Sequence, residues 1–243
     1  MTRTAELRRR WRSGEKTYGL WLGIPSPVSA ELAAITGCDY VCIDQQHGLI
    51  GYEHLVSMLF AIGTAGPIPL TRVAANDPSQ IGKALDAGAC GVVVPMVNSA
   101  EEAARAVSAC RYPPQGNRSY GPIRAARVMG TRVPSELGEA ALCVAMVETR
   151  EGLEQLAEIA GTPGIDAIYV GPADLAVSLG LPPGLDKSEP EHVAVVERIL
   201  AACKAAGIGA GIQCGSGKSA RQFAARGFNI VTVAKDNTVL EAA

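Results

Sequence analysis

Eight short apolar runs recur along this chain, and a segment with a helical pattern follows each of them. The runs span residues 18–24, 40–44, 68–73, 91–97, 142–147, 167–170, 208–213 and 229–234. Continuous apolar runs of this length are typical of parallel strands that are buried on both faces. Eight strand–helix units in 243 residues predict one (β/α)8 TIM barrel domain covering residues 1–243. A doubly wound sheet is disfavoured, because no GxGxxG motif follows the first strand.

The helical segments and one long loop complete this pattern. The expected helices span residues 5–14, 26–35, 52–62, 78–88, 99–111, 150–159, 189–206, 218–226 and 237–243. The last of these is short, so two subunits could exchange their last helices and each close the other's barrel there. Residues 113–139 form a long irregular stretch with several arginines, and such loops in compact domains are usually functional or disordered.

Composition narrows the class of protein and its compartment. The chain is 48% apolar with a formal net charge of −2 and no basic block, which argues against nucleic acid or an anionic membrane as a partner. Residues 1–16 are charged and lack the apolar stretch of a signal peptide or a membrane anchor. The seven cysteines form no CxxC pair and are expected to be reduced, buried thiols. We therefore expect a cytoplasmic protein.

Polar residues stand where several of the apolar runs end. Asp44 and His47 follow the second run, Arg72 closes the third, Glu148 follows the fifth, and Asp174 comes soon after the sixth. In a (β/α)8 barrel these positions share the face at which the strands end, where such barrels bind their ligands. Several polar groups on this one face predict a functional site.

Glu148 and Asp174 are candidate ligands for a divalent metal ion. Mg²⁺ and Mn²⁺ prefer oxygen ligands, and two carboxylates leave room for a bidentate oxo acid such as pyruvate. Zinc bound through sulfur and nitrogen is disfavoured, because no Cys/His cluster has the required spacing. The alternative is that both acids cap helices or pair with arginines.

Other residues at these strand ends could bind a substrate or move a proton. The Arg72 guanidinium could stabilise an enolate oxygen beside a metal, and His47 could shuttle protons near neutral pH. The N–H groups of Ala173 and Asp174 could hold a substrate carboxylate, since Pro172 has no N–H to offer. The alternatives are a structural ion pair for Arg72, a loop histidine for His47 and an ordinary turn before a helix.

Taken together, these motifs resemble one family over nearly the whole chain. The chain is similar to the class II metal-dependent pyruvate aldolases of the aldolase/citrate lyase group, whose members include 4-hydroxy-2-oxo-heptanedioate aldolases. The motifs that carry the resemblance are Ile43-Asp44-Gln45-Gln46-His47-Gly48, Arg72-Val73, Val94-Pro95-Met96-Val97, Arg111-Tyr112-Pro113-Pro114-Gln115-Gly116, Val147-Glu148-Thr149 and Val170-Gly171-Pro172-Ala173-Asp174-Leu175.

The resemblance implies a role for each matching residue at the metal. Glu148 and Asp174 would ligate Mg²⁺, Mn²⁺ or Co²⁺, and Arg72 would contact the keto or enolate oxygen. The Ala173 and Asp174 amides would bind the pyruvate carboxylate, and His47 would act in proton transfer. Asp44 would orient the residues that contact the metal and the substrate, without contacting either itself.

Two further points concern a partner subunit and the places where this chain departs from the family pattern. Asp86 resembles the acid that orients the histidine in relatives, where it belongs to a neighbouring subunit, and the resemblance implies a homo-oligomer, a hexamer. The chain departs from the common pattern at Gln46, often a glutamate, and at Met146, a glutamine in some members. We expect Gln46 to supply pyruvate with the amide that Met146 lacks.

The expected reaction is reversible cleavage of a 4-hydroxy-2-oxo acid to an aldehyde and pyruvate, or a close 2-oxo acid such as hydroxypyruvate. The resemblance places this lyase in the catabolism of aromatic or sugar acids. Two other functions stay open: a carbon–carbon lyase acting on acyl-CoA thioesters, as citrate lyases do, and a non-catalytic barrel that binds oxo acids. A Schiff-base mechanism is disfavoured, because Lys235 is the one lysine at a strand end.

Overall fold

Eight parallel strands close into a barrel in the order of the sequence in the computed structural model, which describes residues 2–64 and 66–242. The strands are β1 Thr17–Leu22, β2 Tyr40–Asp44, β3 Ile68–Arg72, β4 Gly91–Val94, β5 Leu142–Val147, β6 Ala167–Val170, β7 Gly209–Gln213 and β8 Ile230–Lys235. Each strand pairs with its neighbours in the sequence, and β8 pairs with β1. The predicted (β/α)8 TIM barrel is confirmed.

Helices surround the barrel between its strands. They are α1 Arg3–Arg12, α2 Pro27–Ala34, α3 Tyr52–Ile62, α4 Pro78–Asp86, α5 Ala100–Cys110, α6 Ala125–Met129, α7 Pro134–Ala140, α8 Arg150–Glu154, α9 Leu156–Ala160, α10 Pro172–Ser178, α11 Pro190–Ala206, α12 Gly217–Arg226 and α13 Asp236–Glu241. None of the helices in the described ranges combines the length and the apolar content needed to cross a membrane.

The alternation of side chains along the strands separates two cores. Large side chains such as Trp21, Tyr40 and Tyr169 fill the barrel interior, while a second apolar cluster lies between the strands and the helices. The same alternation turns Asp44, Arg72 and Glu148 inward at the open end. The barrel therefore has a packed interior that carries polar side chains at its upper rim.

Most boundaries differ from the sequence-based ones by one or two residues, and four differences are more substantial. Residues 113–139, expected to be irregular, contain α6 and α7, and the helix expected over 150–159 is divided into α8 and α9 at Gln155, which has φ −103° and ψ 16°. Strand β4 ends at Val94 instead of residue 97, because Pro95 has no N–H to continue the ladder. Asp174 lies in the first turn of α10 instead of an isolated turn.

Candidate active site at the barrel mouth

A buried ion pair between Asp44 and Arg72 forms the floor of the candidate site. The two residues lie directly opposite each other in the register of β2 and β3. Arg72 Nε donates to Asp44 Oδ1 at 2.9 Å, and Arg72 Nη2 donates to Asp44 Oδ2 at 2.5 Å. The indole N–H of Trp21 also donates to Oδ2, and the Trp21 ring lies 5.1 Å below the guanidinium carbon. The guanidinium is therefore fixed in orientation.

The same carboxylate holds the loop that carries His47. Asp44 Oδ1 accepts hydrogen bonds from the backbone N–H groups of Gln46 at 3.0 Å and His47 at 3.2 Å. Burial alone would raise the pKa of Asp44, but the hydrogen bonds and charge of Arg72, with Trp21 and His47, outweigh burial and lower that pKa. Asp44 therefore stays ionised and links Arg72 to the histidine loop.

Glu148 presents one oxygen that has no hydrogen-bond partner. Its side chain points inward just beyond β5 and is 1% exposed. Oε1 accepts the N–H of Met96 at 2.9 Å, whereas Oε2 is buried without a partner among the described residues. Burial raises the pKa of Glu148 to about 7, opposed by the Met96 N–H and reinforced by the negative charge of Asp174. An orphaned buried oxygen of this kind requires an explanation.

A divalent cation fits this arrangement. The Asp174 side chain is exposed in the first turn of α10 and lies close enough to Glu148 to disfavour its ionisation. Two mutually repelling carboxylates, one of them partnerless, could together hold one hard cation. Within the described ranges no cluster of three or more His, Cys, Asp and Glu side chains forms a metal site, so water or substrate would supply the other ligands.

The Glu148 pKa leads to an expected pH dependence for the metal-free protein. From the ordinary pKa of 4.5 up to about 7, the folded state holds more protons than the unfolded state. The free energy of unfolding should therefore fall as pH rises through this range, by up to ~3 kcal/mol. Urea unfolding of chelator-treated protein at pH 5 and pH 8 measures this loss, with Glu148→Gln as the control. Equal pH dependence in both proteins would contradict the assignment.

Gly171 provides the space that the Glu148 carboxylate occupies. A Cβ added at Gly171 would lie 2.3 Å from Glu148 Oε2, although φ −95° is accessible to any residue. We expect Gly171→Ala to displace the carboxylate and weaken Mn²⁺ binding at least ~10-fold in a folded protein. Isothermal titration measures the affinity, and Gly82→Ala, where a Cβ would meet nothing within 4 Å, is the matched control. Equal Mn²⁺ affinity in the two variants would refute this expectation.

The N–H groups of Ala173 and Asp174 lie in the first turn of α10, next to Glu148. The first N–H groups of a helix have no intrahelical partner. Ala173 is half-buried, and Pro172 occupies the first helical position, as its missing N–H allows. These two amides are therefore positioned where they could receive a carboxylate.

Asp86 lies at the other end of the barrel from His47. It ends α4, five residues before β4 begins, and so lies at the face where the strands start. Its carboxylate accepts a hydrogen bond from the buried Arg118 at 2.6 Å. Burial raises the pKa of Asp86, and Arg118 opposes that rise. Asp86 therefore cannot act on His47 of its own chain.

Three residues that shape the site had no role assigned to them from the sequence. Trp21 fixes Asp44 and Arg72, Met96 donates to Glu148, and Gly171 leaves room for that carboxylate. The inward position of Trp21 follows from the alternation along β1 and could have been found. The contacts of Met96 and Gly171 depend on backbone conformation, for which the sequence carries no pattern.

The fold and the rim residues define a (β/α)8 barrel with an acidic site at the ends of its strands. Comparison with known proteins places this barrel in a family: the sequence model of the HpcH/HpaI aldolase/citrate lyase family matches residues 17–243. The chain belongs to this family. It is 41% identical over 238 residues to a hydroxypyruvate/pyruvate aldolase of Rhizorhabdus wittichii, covering 98% of this chain and 95% of the relative.

Two further relatives agree with this assignment. A 4-hydroxy-2-oxo-heptane-1,7-dioate aldolase of Salmonella dublin is 37% identical, with 94% of this chain and 88% of the relative covered. A crystal structure of an HpcH/HpaI aldolase/citrate lyase family protein from Burkholderia cenocepacia superposes with a TM-score of 0.90 at 36% identity, covering 98% of this chain and 95% of the other. The predicted family is confirmed.

Proposed function

We propose that this chain is a metal-dependent aldolase that reversibly cleaves a 4-hydroxy-2-oxo acid to an aldehyde and pyruvate, or a close 2-oxo acid such as hydroxypyruvate. Relatives named as aldolases, at 37–41% identity over most of the chain, support a carbon–carbon lyase acting on 2-oxo acids. The observation that most supports a metal site is the buried, partnerless oxygen of Glu148 beside Asp174.

Glu148 and Asp174 would hold the cation, which is Mg²⁺, Mn²⁺ or Co²⁺ in this proposal. When bound, such an ion would supply positive charge that stabilises negative charge developing on the 2-oxo group. The protein contributes a fixed guanidinium beside it. Two nitrogens of Arg72 bind Asp44, which leaves Nη1 to donate to the oxo or enolate oxygen.

The remaining polar groups would orient the 2-oxo acid. The Ala173 and Asp174 N–H groups would hold its carboxylate. Gln46 has a buried side-chain oxygen without a partner among the described residues. Its NH2 group would donate to an oxygen of the 2-oxo acid, and the partnerless carbonyl oxygen would accept from a substrate hydroxyl group or a water.

His47 is the proposed base. Directly or through water, it would take the proton of the 4-hydroxyl group, whose electron pair then forms the aldehyde carbonyl. The electrons of the C3–C4 bond become the enolate, and protonation at C3 gives the 2-oxo acid. His47 is exposed at the barrel mouth, where substrate and solvent can reach it.

Removing the imidazole should separate catalysis from binding. We expect His47→Ala to bind Mn²⁺ and pyruvate normally but to lose at least ~100-fold in kcat/KM for cleavage. Isothermal titration and a pyruvate-release assay measure the two properties. This outcome also excludes a non-catalytic oxo-acid-binding barrel, whereas unchanged cleavage would remove His47 from the mechanism.

A partner subunit would complete the site. Because Asp86 lies at the opposite face, it can orient His47 only across an interface, so we propose a homo-oligomer, a hexamer, that brings Asp86 of one copy to His47 of another. Exchange of the last helix is part of this proposal, because an apolar groove lies beside the six-residue α13. Mixing inactive His47→Ala and Asp86→Asn variants tests the shared site, because hybrid oligomers should recover activity.

Lys235 pairs with the inward-facing Trp21 in the register of β8 and β1, and its Nζ lies 3.6 Å from the position that a Cβ on Gly23 would take. The chelation experiment therefore tests the Schiff-base alternative, because a lysine mechanism would not require a metal ion.

A retro-aldol screen tests the proposal as a whole. Pyruvate release from a panel of 4-hydroxy-2-oxo acids, coupled to lactate dehydrogenase, is followed with and without a chelator. We expect cleavage that stops on full metal removal and returns with Mn²⁺ or Mg²⁺. Cleavage that survives chelation would overturn the metal mechanism, and cleavage of acyl-CoA thioesters alone would favour a citrate lyase-type activity. The protein is proposed to act in the cytoplasm.

A further inference from the structure

Met96 combines a strained backbone with a largely solvent-accessible side chain. Among residues 2–64 and 66–242 it alone, apart from glycines, has a positive φ, at 55°. Left-handed backbone is unfavourable for an L-residue and persists only where the surroundings enforce it. The side chain is 46% exposed, so its burial does not account for the conformation. The reason must lie in what the backbone contacts.

The left-handed backbone turns two consecutive N–H groups toward β5. The N–H of Met96 donates to Glu148 Oε1 at 2.9 Å, and the N–H of Val97 donates to the Met146 carbonyl at 3.1 Å. Consecutive N–H groups of an extended strand point in opposite directions, whereas a left-handed residue in a turn lets them converge. Both bonds therefore depend on the conformation of this one residue.

Hydrogen bonds hold the turn at residues 96–98 against the chain on both sides of Glu148. The Thr149 hydroxyl donates to Asn98 Oδ1 just beyond the carboxylate, and Val97 binds Met146 just before it. Gly152 lies so close that a Cβ there would be 2.9 Å from the Val97 carbonyl oxygen. The surroundings therefore hold the Met96 N–H at one position relative to Glu148.

We propose that the left-handed backbone of Met96 positions Glu148 for cation binding. Its N–H occupies Oε1 and thereby directs Oε2, the buried and partnerless oxygen, toward Asp174 and the ion. Met96 is a positioning residue, acting through Glu148. This inference rests on the proposed function, because it takes Glu148 as a metal ligand.

Two isomeric substitutions test the role of the backbone. Met96→Leu and Met96→Ile add side chains of equal composition, but the β-branched isoleucine is strongly disfavoured at positive φ. We expect the Mn²⁺ Kd, measured by isothermal titration without substrate, to stay within ~3-fold of the natural protein for leucine and to rise ~10-fold for isoleucine. Cleavage by Met96→Ile should recover at high Mn²⁺ concentration, which a general folding defect would not allow.

Met96→Gly is an independent arm, because glycine adopts positive φ without strain and removes the side chain. We expect its Mn²⁺ Kd to stay within ~3-fold of the natural value. Equal Mn²⁺ affinities for the leucine and isoleucine variants, or a ~10-fold loss for the glycine variant, would overturn the inference. The variant Glu148→Gln distinguishes a wrong inference about Met96 from a wrong assignment of Glu148 as a metal ligand. If that variant binds Mn²⁺ as the natural protein does, Glu148 is not a ligand and the proposed metal site fails.

Discussion

Glu148→Gln should abolish cleavage and at the same time stabilise the metal-free protein. A neutral amide is a poor ligand for a hard cation, so we expect kcat/KM to fall at least ~1000-fold. The free energy of unfolding at pH 8 should rise by up to ~3 kcal/mol, because a pKa of about 7 against an ordinary 4.5 means that ionised Glu148 is costly to bury. Glutamine can keep the hydrogen bond from Met96. Urea unfolding after chelation and the coupled pyruvate assay measure the two effects.

Asp174→Asn is the matched variant for this experiment. Asp174 is exposed, so its replacement should remove metal-dependent cleavage with a much smaller change in stability. If Glu148→Gln destabilised the metal-free protein, or retained cleavage, the account of Glu148 as a strained metal ligand would be wrong. A gain in stability that accompanies a loss of activity is the pattern of a functional site that trades one for the other.

Asp44→Asn should produce the largest loss of stability. Asp44 accepts five hydrogen bonds, its side chain is fully buried, and that of its partner Arg72 is largely buried. Removing one partner of a buried pair leaves an uncompensated charge, at a cost of roughly 3–5 kcal/mol. Cleavage should fall as well, because Arg72 and the His47 loop lose their common anchor. Urea unfolding of the holoprotein and the retro-aldol assay follow both.

The exposed pair Glu6–Arg9 provides the control for this prediction. It has the same two-bond geometry, at 2.9 and 2.6 Å, but on the surface of α1. Glu6→Gln should change stability far less than Asp44→Asn. The double variant Asp44→Asn/Arg72→Met should be less destabilised than the sum of the single variants. A purely additive result would show that the buried pair is not coupled.

Much of the fold could be predicted because strand and helix patterns alternate so regularly. The bounds of β2, β5 and β6 match the apolar runs, since each run ends where a polar or glycine residue begins the loop. The face shared by Asp44, Arg72 and Glu148 also follows, because parallel strands of a barrel end on one side. The position of these three residues on one face was therefore predictable from the sequence.

Two kinds of feature could not be predicted: unusual backbone conformations, and contacts between residues that are far apart in the sequence. No pattern marks the positive φ of Met96, and the break at Gln155 interrupts an otherwise helical run. Asp44 accepts hydrogen bonds from Trp21, which lies 23 positions earlier in the chain, and from Arg72, which lies 28 positions later. Such contacts follow from register and packing, which local propensity does not encode.

A crystal soaked with Mn²⁺ and pyruvate tests the central claim most directly, through anomalous scattering from the metal. We expect one strong peak at about 2.0–2.3 Å from an oxygen of each of Glu148 and Asp174, with two pyruvate oxygens completing the contact. A peak at another place, or one that involves only one of the two carboxylates, would contradict a shared cation at the barrel mouth.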